Sequence, residues 1–389
     1  MKHMKFLSFF LGIAFAIIAC SSNNETIPAP EVDPDGDDGT TEVEFAKGAD
    51  IGWVTEYESK GYNFYNAKGE QRECTALMKE LGLDAIRIRV WVDPSKHGNW
   101  CNTADVVEKA KRAKELGMDV MIDFHYSDWW ADPAQQNKPA SWVGKNLANL
   151  KSAIKDHTVS VLQALKTIGV IPKWVQVGNE IRPGMLWDED VALSGASYNV
   201  TEKDLKDAPA SATDKVVYPM NWANLGAFVT TGYDAVKSVF PDAIVIVHLD
   251  NGWDSGLFTW FFDELKKNGG KWDMIGMSLY PYWSRDAKEG YSSADAVITD
   301  CISNIKALST KYNCDVMVVE TGDNGKLAST SVLNEGKRQL ARILKECKEN
   351  TNGRCKGVFY WEPECRPSQY RLGAFTEGGY PTVIMDAFK

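Results

Sequence analysis

The chain has 389 residues, 44% of them hydrophobic and 25% charged, an ordinary globular balance that suffices for one large domain. Its formal net charge of −10 argues against nucleic acid as a partner, because phosphate neutralisation requires a basic footprint. An acidic surface fits a neutral substrate without indicating which.

Residues 1–20 read as a targeting segment. Lys2 and Lys5 give a positive start, Phe6 to Ile18 form an apolar run too short to span a bilayer comfortably, and Ala19 precedes Cys20. The stretch Ile17-Ile18-Ala19-Cys20 resembles a bacterial lipoprotein signal, in which the cysteine becomes the lipidated first residue; the alternative is a plain secretory peptide. The resemblance implies a cell-envelope lipoprotein anchored to the outer membrane through Cys20, on the cell surface or on the periplasmic face. Residues 21–44 are rich in Ser, Asn, Asp, Gly, Pro and Thr and bury too little to offset their ordering entropy, so they are expected to form a flexible acidic linker. Seven cysteines then remain. An exported location permits disulfides, with Cys301–Cys314 and a bridge among Cys347, Cys355 and Cys365 as candidates by close spacing. No C-x₂-C array suggests zinc.

From residue 45 to 389 a strand-then-helix pattern repeats eight times. The candidate strands are 48–54, 85–91, 120–126, 174–179, 243–249, 274–280, 316–320 and 357–361, mostly short runs of Val, Ile, Met and aromatics, as in strands buried on both faces. Helical spacing appears between them, as in Ala104, Val107, Ala110, Ala113 and Leu116, with Gly117 as the stop. Eight such units predict an α/β fold, a single (β/α)₈ TIM barrel. An open doubly wound sheet is the competing architecture, but no Gly-rich nucleotide turn follows an early strand. The longest insertion, 181–218, follows the fourth strand, at the barrel end where loops build active sites.

Reactive groups in such a barrel sit at the C-terminal strand ends. The fourth strand ends Val177-Gly178-Asn179-Glu180 and the seventh Val318-Val319-Glu320-Thr321. Three strands apart around a closed barrel, the two carboxyls face each other across the mouth. That is the pair that glycosidic bond cleavage uses, one to protonate the leaving oxygen and one to attack the anomeric carbon. Either alone would be weak evidence, since strand-end carboxylates often only bind or cap.

Around this pair the chain resembles glycoside hydrolase family 53, the endo-β-1,4-galactanases. The matching segments include Gly48-Ala49-Asp50-Ile51, Ile86-Arg87-Ile88-Arg89-Val90-Trp91, Asp123-Phe124-His125-Tyr126-Ser127-Asp128, Gly178-Asn179-Glu180-Ile181, His248-Leu249-Asp250-Asn251-Gly252, Ser278-Leu279-Tyr280-Pro281 and Tyr360-Trp361-Glu362-Pro363. The resemblance implies a retaining, double-displacement hydrolase of galactan or galacto-oligosaccharides that needs no cofactor. Glu180 would be acid/base, Glu320 nucleophile, and Asn179 the partner of the 2-hydroxyl. Arg87 would sit beneath Glu320 and keep it ionised, and Tyr280 would donate to it. Packing or a core ion pair is the plainer reading of the last two.

Trp53, Trp91, Trp129, Trp130, Trp187, Trp283 and Trp361 lie near strand ends, where an indole face stacks on a pyranose; filling the upper barrel is the plainer reading for about half of them. Trp361 is expected to floor the cleavage subsite, Trp130 to contact substrate, and His125, Asp128 and Asp250 to bind hydroxyls. Some bacterial relatives carry a calcium loop after the seventh strand. Here 321–326 is short, and no metal is expected there. A monomer is expected. Two other readings are a β-glycanase of the same clan acting on xylan, mannan or glucan, and a non-catalytic surface glycan-binding lipoprotein. The latter would not need both glutamates at opposed strand ends.

Overall fold

The computed structural model describes residues 44–187, 221–287, 293–323 and 329–389. Cys20, the expected targeting segment, nearly all of the expected linker, most of the insertion after the fourth barrel strand and part of the short loop after the seventh lie outside these residues. Val43–Lys389 make one compact unit.

The strands are β1 (Ala46–Asp50), the two-residue partners β2 (Phe64–Tyr65) and β3 (Gln71–Arg72), β4 (Ala85–Val90), β5 (Asp119–Phe124), β6 (Trp174–Val177), β7 (Ile244–Leu249), β8 (Met274–Leu279), β9 (Asp315–Thr321) and β10 (Cys355–Tyr360). All but β2 and β3 are parallel and close into the barrel β1-β10-β9-β8-β7-β6-β5-β4, the predicted TIM barrel. Parallel neighbours need a crossover, and helices supply it. They are α1 (Val54–Ser59), α2 (Cys74–Glu80), α3 (Thr103–Glu115), α4 (Leu147–Thr167), α5 (Trp222–Val239), α6 (Ser255–Lys267), α7 (Pro281–Ala287), α8 (Ala294–Tyr312) and α9 (Thr330–Glu349). Their starts follow from capping chemistry: Asn102, Asn146, Asp254 and Ser329 each accept a main-chain N–H of the first turn. Gly117, in the left-handed region at φ 65°, follows α3 as expected.

Strand side chains alternate, and the interior reads as layers. The bottom layer is apolar: Ala46, Ala85, Met121, Trp174, Ile246, Met274, Met317 and Phe359 cluster there. Gly48 leaves room for Phe359, whose ring lies 2.2 Å from where a Cβ would stand. Two residues further along four of the strands the layer turns polar, with Arg87, Asp123, Gln176 and His248, and Ser278 joins them four residues past Met274, all buried. The layer above it opens to solvent and carries the glutamates.

Strand ends differ from expectation by one to four residues, mostly where the backbone turns out of the barrel. Gly178 (φ 81°) stops β6, Tyr126 (φ 50°) bends the chain after β5, and Ile51–Val54 leave β1 for α1. The β2–β3 hairpin and α7 carried no clear pattern in the sequence.

The expected disulfides are absent. All seven cysteines among the described residues are free thiols. Cys301 points into the core, its thiol 3.5 Å from the Met277 sulfur, and most of α8 separates it from Cys314. Eleven residues of helix span about 16 Å, far beyond the ~7 Å Cα limit for a bridge. Cys347 and Cys355 do meet, as hydrogen-bonded thiols, and Cys365 lies 3.2 Å from the Tyr57 hydroxyl. Thiol titration of unreduced protein in denaturant should therefore find all seven reactive; five or fewer would mean a disulfide.

Candidate active site

The site grows out of the polar layer. Arg87, on β4 and 1% exposed, is its hub. One terminal nitrogen donates to Asp50 (2.7 Å) and Glu320 (2.8 Å), and the other to Gln176 (3.0 Å) and Asn179 (2.8 Å). Asp123 pairs with it at 2.9 Å. One guanidinium thus faces three buried carboxyl groups from three strands. A planar fork with fixed donors can hold such a constellation where an ammonium could not.

Glu320, near the end of β9, accepts from Arg87 on one oxygen and from the Tyr280 hydroxyl on the other, at 3.0 Å. Glu180 follows the turn that ends β6 and has φ 46°, a left-handed conformation costing a non-glycine residue of order 1 kcal/mol or more. Ser278 donates to its Oε1 at 2.5 Å. An irregularity in the β8–β9 pairing falls between Met277 and Ser278 and sets Ser278 opposite Glu320. Bulges of this kind commonly re-aim side chains beside active sites.

Electrostatics separate the two glutamates. Burial pushes Glu180 well above the usual carboxylate range, and the charges of Glu320 and Asp250 push it further. Burial also raises Glu320, but Arg87 opposes that rise, and the hydrogen bonds from Arg87 and Tyr280 favour its ionised form. A proton shared by the pair therefore belongs on Glu180. One group is a poised acid and the other a carboxylate held for attack.

Above them opens a cavity of about 450 Å³. Trp361, just past β10, lines it beside Trp130 and Tyr370; ring centroids lie 5.8 Å from Trp361 to Trp130 and 4.7 Å to Tyr370. Behind this wall the Arg89 guanidinium lies 4.3 Å from the Trp130 ring and 5.2 Å from Trp53, and is ion-paired with Glu362. Cation–π contact fixes the orientation of the rings from below.

Most of the expected site residues converge here. Glu180, Glu320, Asn179, Tyr280, Trp130, Trp361, His125 and Asp250 all line the cavity. Arg87 does not; it acts from beneath. Asp128 is a correction. Its carboxylate accepts the main-chain N–H groups of Asp93 (2.9 Å) and Ala140 (2.9 Å), so it ties two loops together and stays off the cavity wall. His125 reaches the wall with both ring nitrogens engaged. Nε2 faces Asp123 at 3.0 Å, and Nδ1 accepts from Ala131 N–H at 3.0 Å and lies 3.3 Å from the Trp91 indole nitrogen, so its expected role in binding a hydroxyl finds no spare nitrogen. Asp250 lines the cavity with Arg182 behind it at 2.9 Å. Of the tryptophans, Trp91 and Trp187 are fully buried filler, whereas Trp283 is exposed at the rim. Asp50, Asp123, Gln176, His248, Ser278 and Tyr370 belong to the site as well, without a role legible in the sequence. A single polar residue near the C-terminal end of an otherwise apolar strand was the available signal for most of these.

An acid and a shielded carboxylate facing one aromatic-floored cleft at the C-terminal mouth of a (β/α)₈ barrel define a glycoside hydrolase. The chain belongs to glycosyl hydrolase family 53, whose sequence profile matches residues 46–382. It is similar to the arabinogalactan endo-β-1,4-galactanase of Thermothelomyces thermophilus, at 30% identity across 82% of this chain and 89% of that one. The endo-β-1,4-galactanase of Bacillus subtilis (strain 168) is 28% identical over 83% of this chain and 71% of its own. In three dimensions the chain resembles a solved fungal β-1,4-galactanase with a TM-score of 0.71 and 27% identity, covering 88% of this chain and 98% of that one.

Proposed function

We propose that this protein is a retaining endo-β-1,4-galactanase that cleaves the galactan and arabinogalactan side chains of pectin. The observation that carries the mechanism is the unequal electrostatic setting of the two facing glutamates, one protonated by burial and one stabilised as an anion by Arg87 and Tyr280. Glu320 attacks the anomeric carbon while Glu180 protonates the departing oxygen, forming a glycosyl-enzyme. Glu180, now without the charge of Glu320 beside it, then deprotonates the water that releases the sugar. Asn179, held by Arg87, Gln176 and Ala131, presents its amide to the 2-hydroxyl, a contact that strengthens in the transition state. Trp361 and Trp130 stack the sugar faces, and Asp250 accepts from hydroxyls.

Family membership and the named galactanases among the relatives support the choice of galactan over xylan, mannan or glucan. Potato galactan should release reducing sugar, and proton NMR of its first product should show the β anomer before mutarotation. An α anomer appearing first would rule out double displacement; xylan or mannan hydrolysed in preference to galactan would overturn the substrate assignment.

The enzyme works as a monomer held at the outer membrane by a lipid on Cys20; the signal-like stretch at residues 17–20 supports this reading. Cys20→Ala should move active enzyme from the membrane fraction to the soluble one. A variant that stays membrane-bound with unchanged lipid labelling would refute the anchor.

A further inference from the structure

We infer that Ser278, backed by His248, is a positioning residue that fixes which oxygen of Glu180 delivers the proton to the leaving group. The inference rests on the reading of Glu180 as acid/base. Ser278 has one hydroxyl proton, and its oxygen lies 2.5 Å from Glu180 Oε1 and 2.8 Å from His248 Nε2. Given to Glu180, that proton leaves the serine oxygen needing a donor, and the imidazole Nε2–H is the one within reach.

The other face of His248 selects that tautomer. Nδ1 lies 3.4 Å from the main-chain N–H of Glu180, a fixed donor, while the Gln176 amide 3.1 Å away spends its two hydrogens on Asp123 (2.6 Å) and Asn179 (3.0 Å). Asn179 Oδ1 is also near, at 3.0 Å, but already accepts from Arg87 (2.8 Å) and Gln176 (3.0 Å), which fills its two lone pairs. His248 is wholly buried, and burial together with the Arg87 charge keeps it neutral. A neutral imidazole with a bare Nδ1 must carry its proton on Nε2. The chain of donation therefore runs His248 Nε2–H to Ser278, then Ser278 O–H to Glu180 Oε1.

The consequence concerns Glu180. With Oε1 occupied as an acceptor, the acidic proton of the free enzyme resides on Oε2, the oxygen left for the glycosidic bond. After glycosylation the same hydrogen bond stabilises the carboxylate that must act as base. One fixed contact thus serves both half-reactions and prevents rotation of a carboxyl group whose backbone is already in a left-handed conformation. Among the described residues the other groups facing Glu180 do not supply it: Glu320 from β9, Asp250 after β7 and Asp132 from the loop after β5 all raise its proton affinity, and Tyr280 donates to Glu320 instead. Arg182 is paired with Asp250.

Ser278→Ala, measured on galactan, should lower kcat roughly 10- to 100-fold, the loss expected for one hydrogen bond to a charged group. KM should change little. The basic limb of kcat/KM, where Glu180 loses its proton in the free enzyme, should move to higher pH, because a donor that favoured the carboxylate is gone. Ser278→Thr keeps the hydroxyl and should restore both values. An unmoved basic limb, or a Thr variant as impaired as Ala, would overturn the inference and leave Ser278 as packing. Nitrogen NMR of the unsubstituted enzyme tests the same chain without a variant: His248 should show a protonated Nε2 and a bare Nδ1, and the opposite tautomer would overturn it. Glu180→Ala separates this inference from the reading beneath it. If that variant keeps the basic limb, Glu180 is not the acid; if the limb vanishes there yet is unmoved in Ser278→Ala, only the relay fails.

Discussion

Glu320→Ala is expected to have no turnover on any substrate, whatever its leaving group, while Glu180→Ala should fail on one kind of substrate and survive on another. The difference follows from what each group supplies. Losing Glu320 removes the atom that attacks. The space it vacates lies beside Arg87 and Tyr280, two donors aimed at an anion. Added azide should occupy that space, attack the anomeric carbon directly and give the inverted, α-configured glycosyl azide. Losing Glu180 removes the proton donor, so the cost scales with the leaving group's need for a proton. On galactan, where a sugar alkoxide must depart, the loss should reach about 10²–10⁴-fold. On an activated aryl galactobioside glycosylation should proceed and deglycosylation become limiting. Azide then intercepts the glycosyl-enzyme without a general base, speeds turnover and yields the β-configured product. Both variants should melt near the unsubstituted enzyme, since each deletes a carboxyl that burial disfavours. Opposite azide stereochemistries, or a Glu180→Ala variant equally dead on both substrates, would reverse or refute the roles.

Much of this site was legible from the chain because its chemistry sits where the barrel's geometry says it must. Glu180 and Glu320 stand out as carboxylates that end apolar runs, and eight such runs fix which of them face each other. What stayed hidden lies one layer deeper. Asp123, Gln176, His248 and Ser278 occupy alternate positions inside runs that read as continuously buried, and their meaning appears only when closure brings five strands around Arg87. Asp128 is hard to read for a related reason. A carboxylate in a loop after a strand looks the same in sequence whether it meets a sugar or the main-chain N–H groups of Asp93 and Ala140. The cysteines failed on spacing: short separation suggests a bridge only if the intervening chain can fold back, and α8 holds Cys301 and Cys314 apart. Glu362 was visible as part of a motif, but its ion pair with Arg89 beneath the tryptophans was not.

Replacing the hub should cost more stability than removing either catalytic group. Arg87→Met leaves Asp50, Asp123 and Glu320 buried around an apolar side chain, and a buried charge stripped of its partner typically costs about 3–5 kcal/mol. The loss should depend on pH in a definite direction. Burial already raises the carboxyls of Asp50 and Glu320 above their unfolded values, and Arg87 opposes both rises. Without it their folded proton affinities climb further. A group whose folded pKa exceeds its unfolded one penalises folding when it must be ionised, and that penalty fades as pH falls through the folded value. The gap in melting temperature between Arg87→Met and the unsubstituted enzyme should therefore be wider at pH 8 than at pH 5. Activity should follow the same logic: the nucleophile must be ionised to attack, so the acidic limb of kcat/KM should move to higher pH. Arg87→Lys should fall between the two, since an ammonium restores charge but cannot reach Asp50, Glu320, Gln176 and Asn179 together. A melting gap that narrows toward pH 8, or an acidic limb that stays in place, would show that Arg87 does not hold Glu320 in its attacking form.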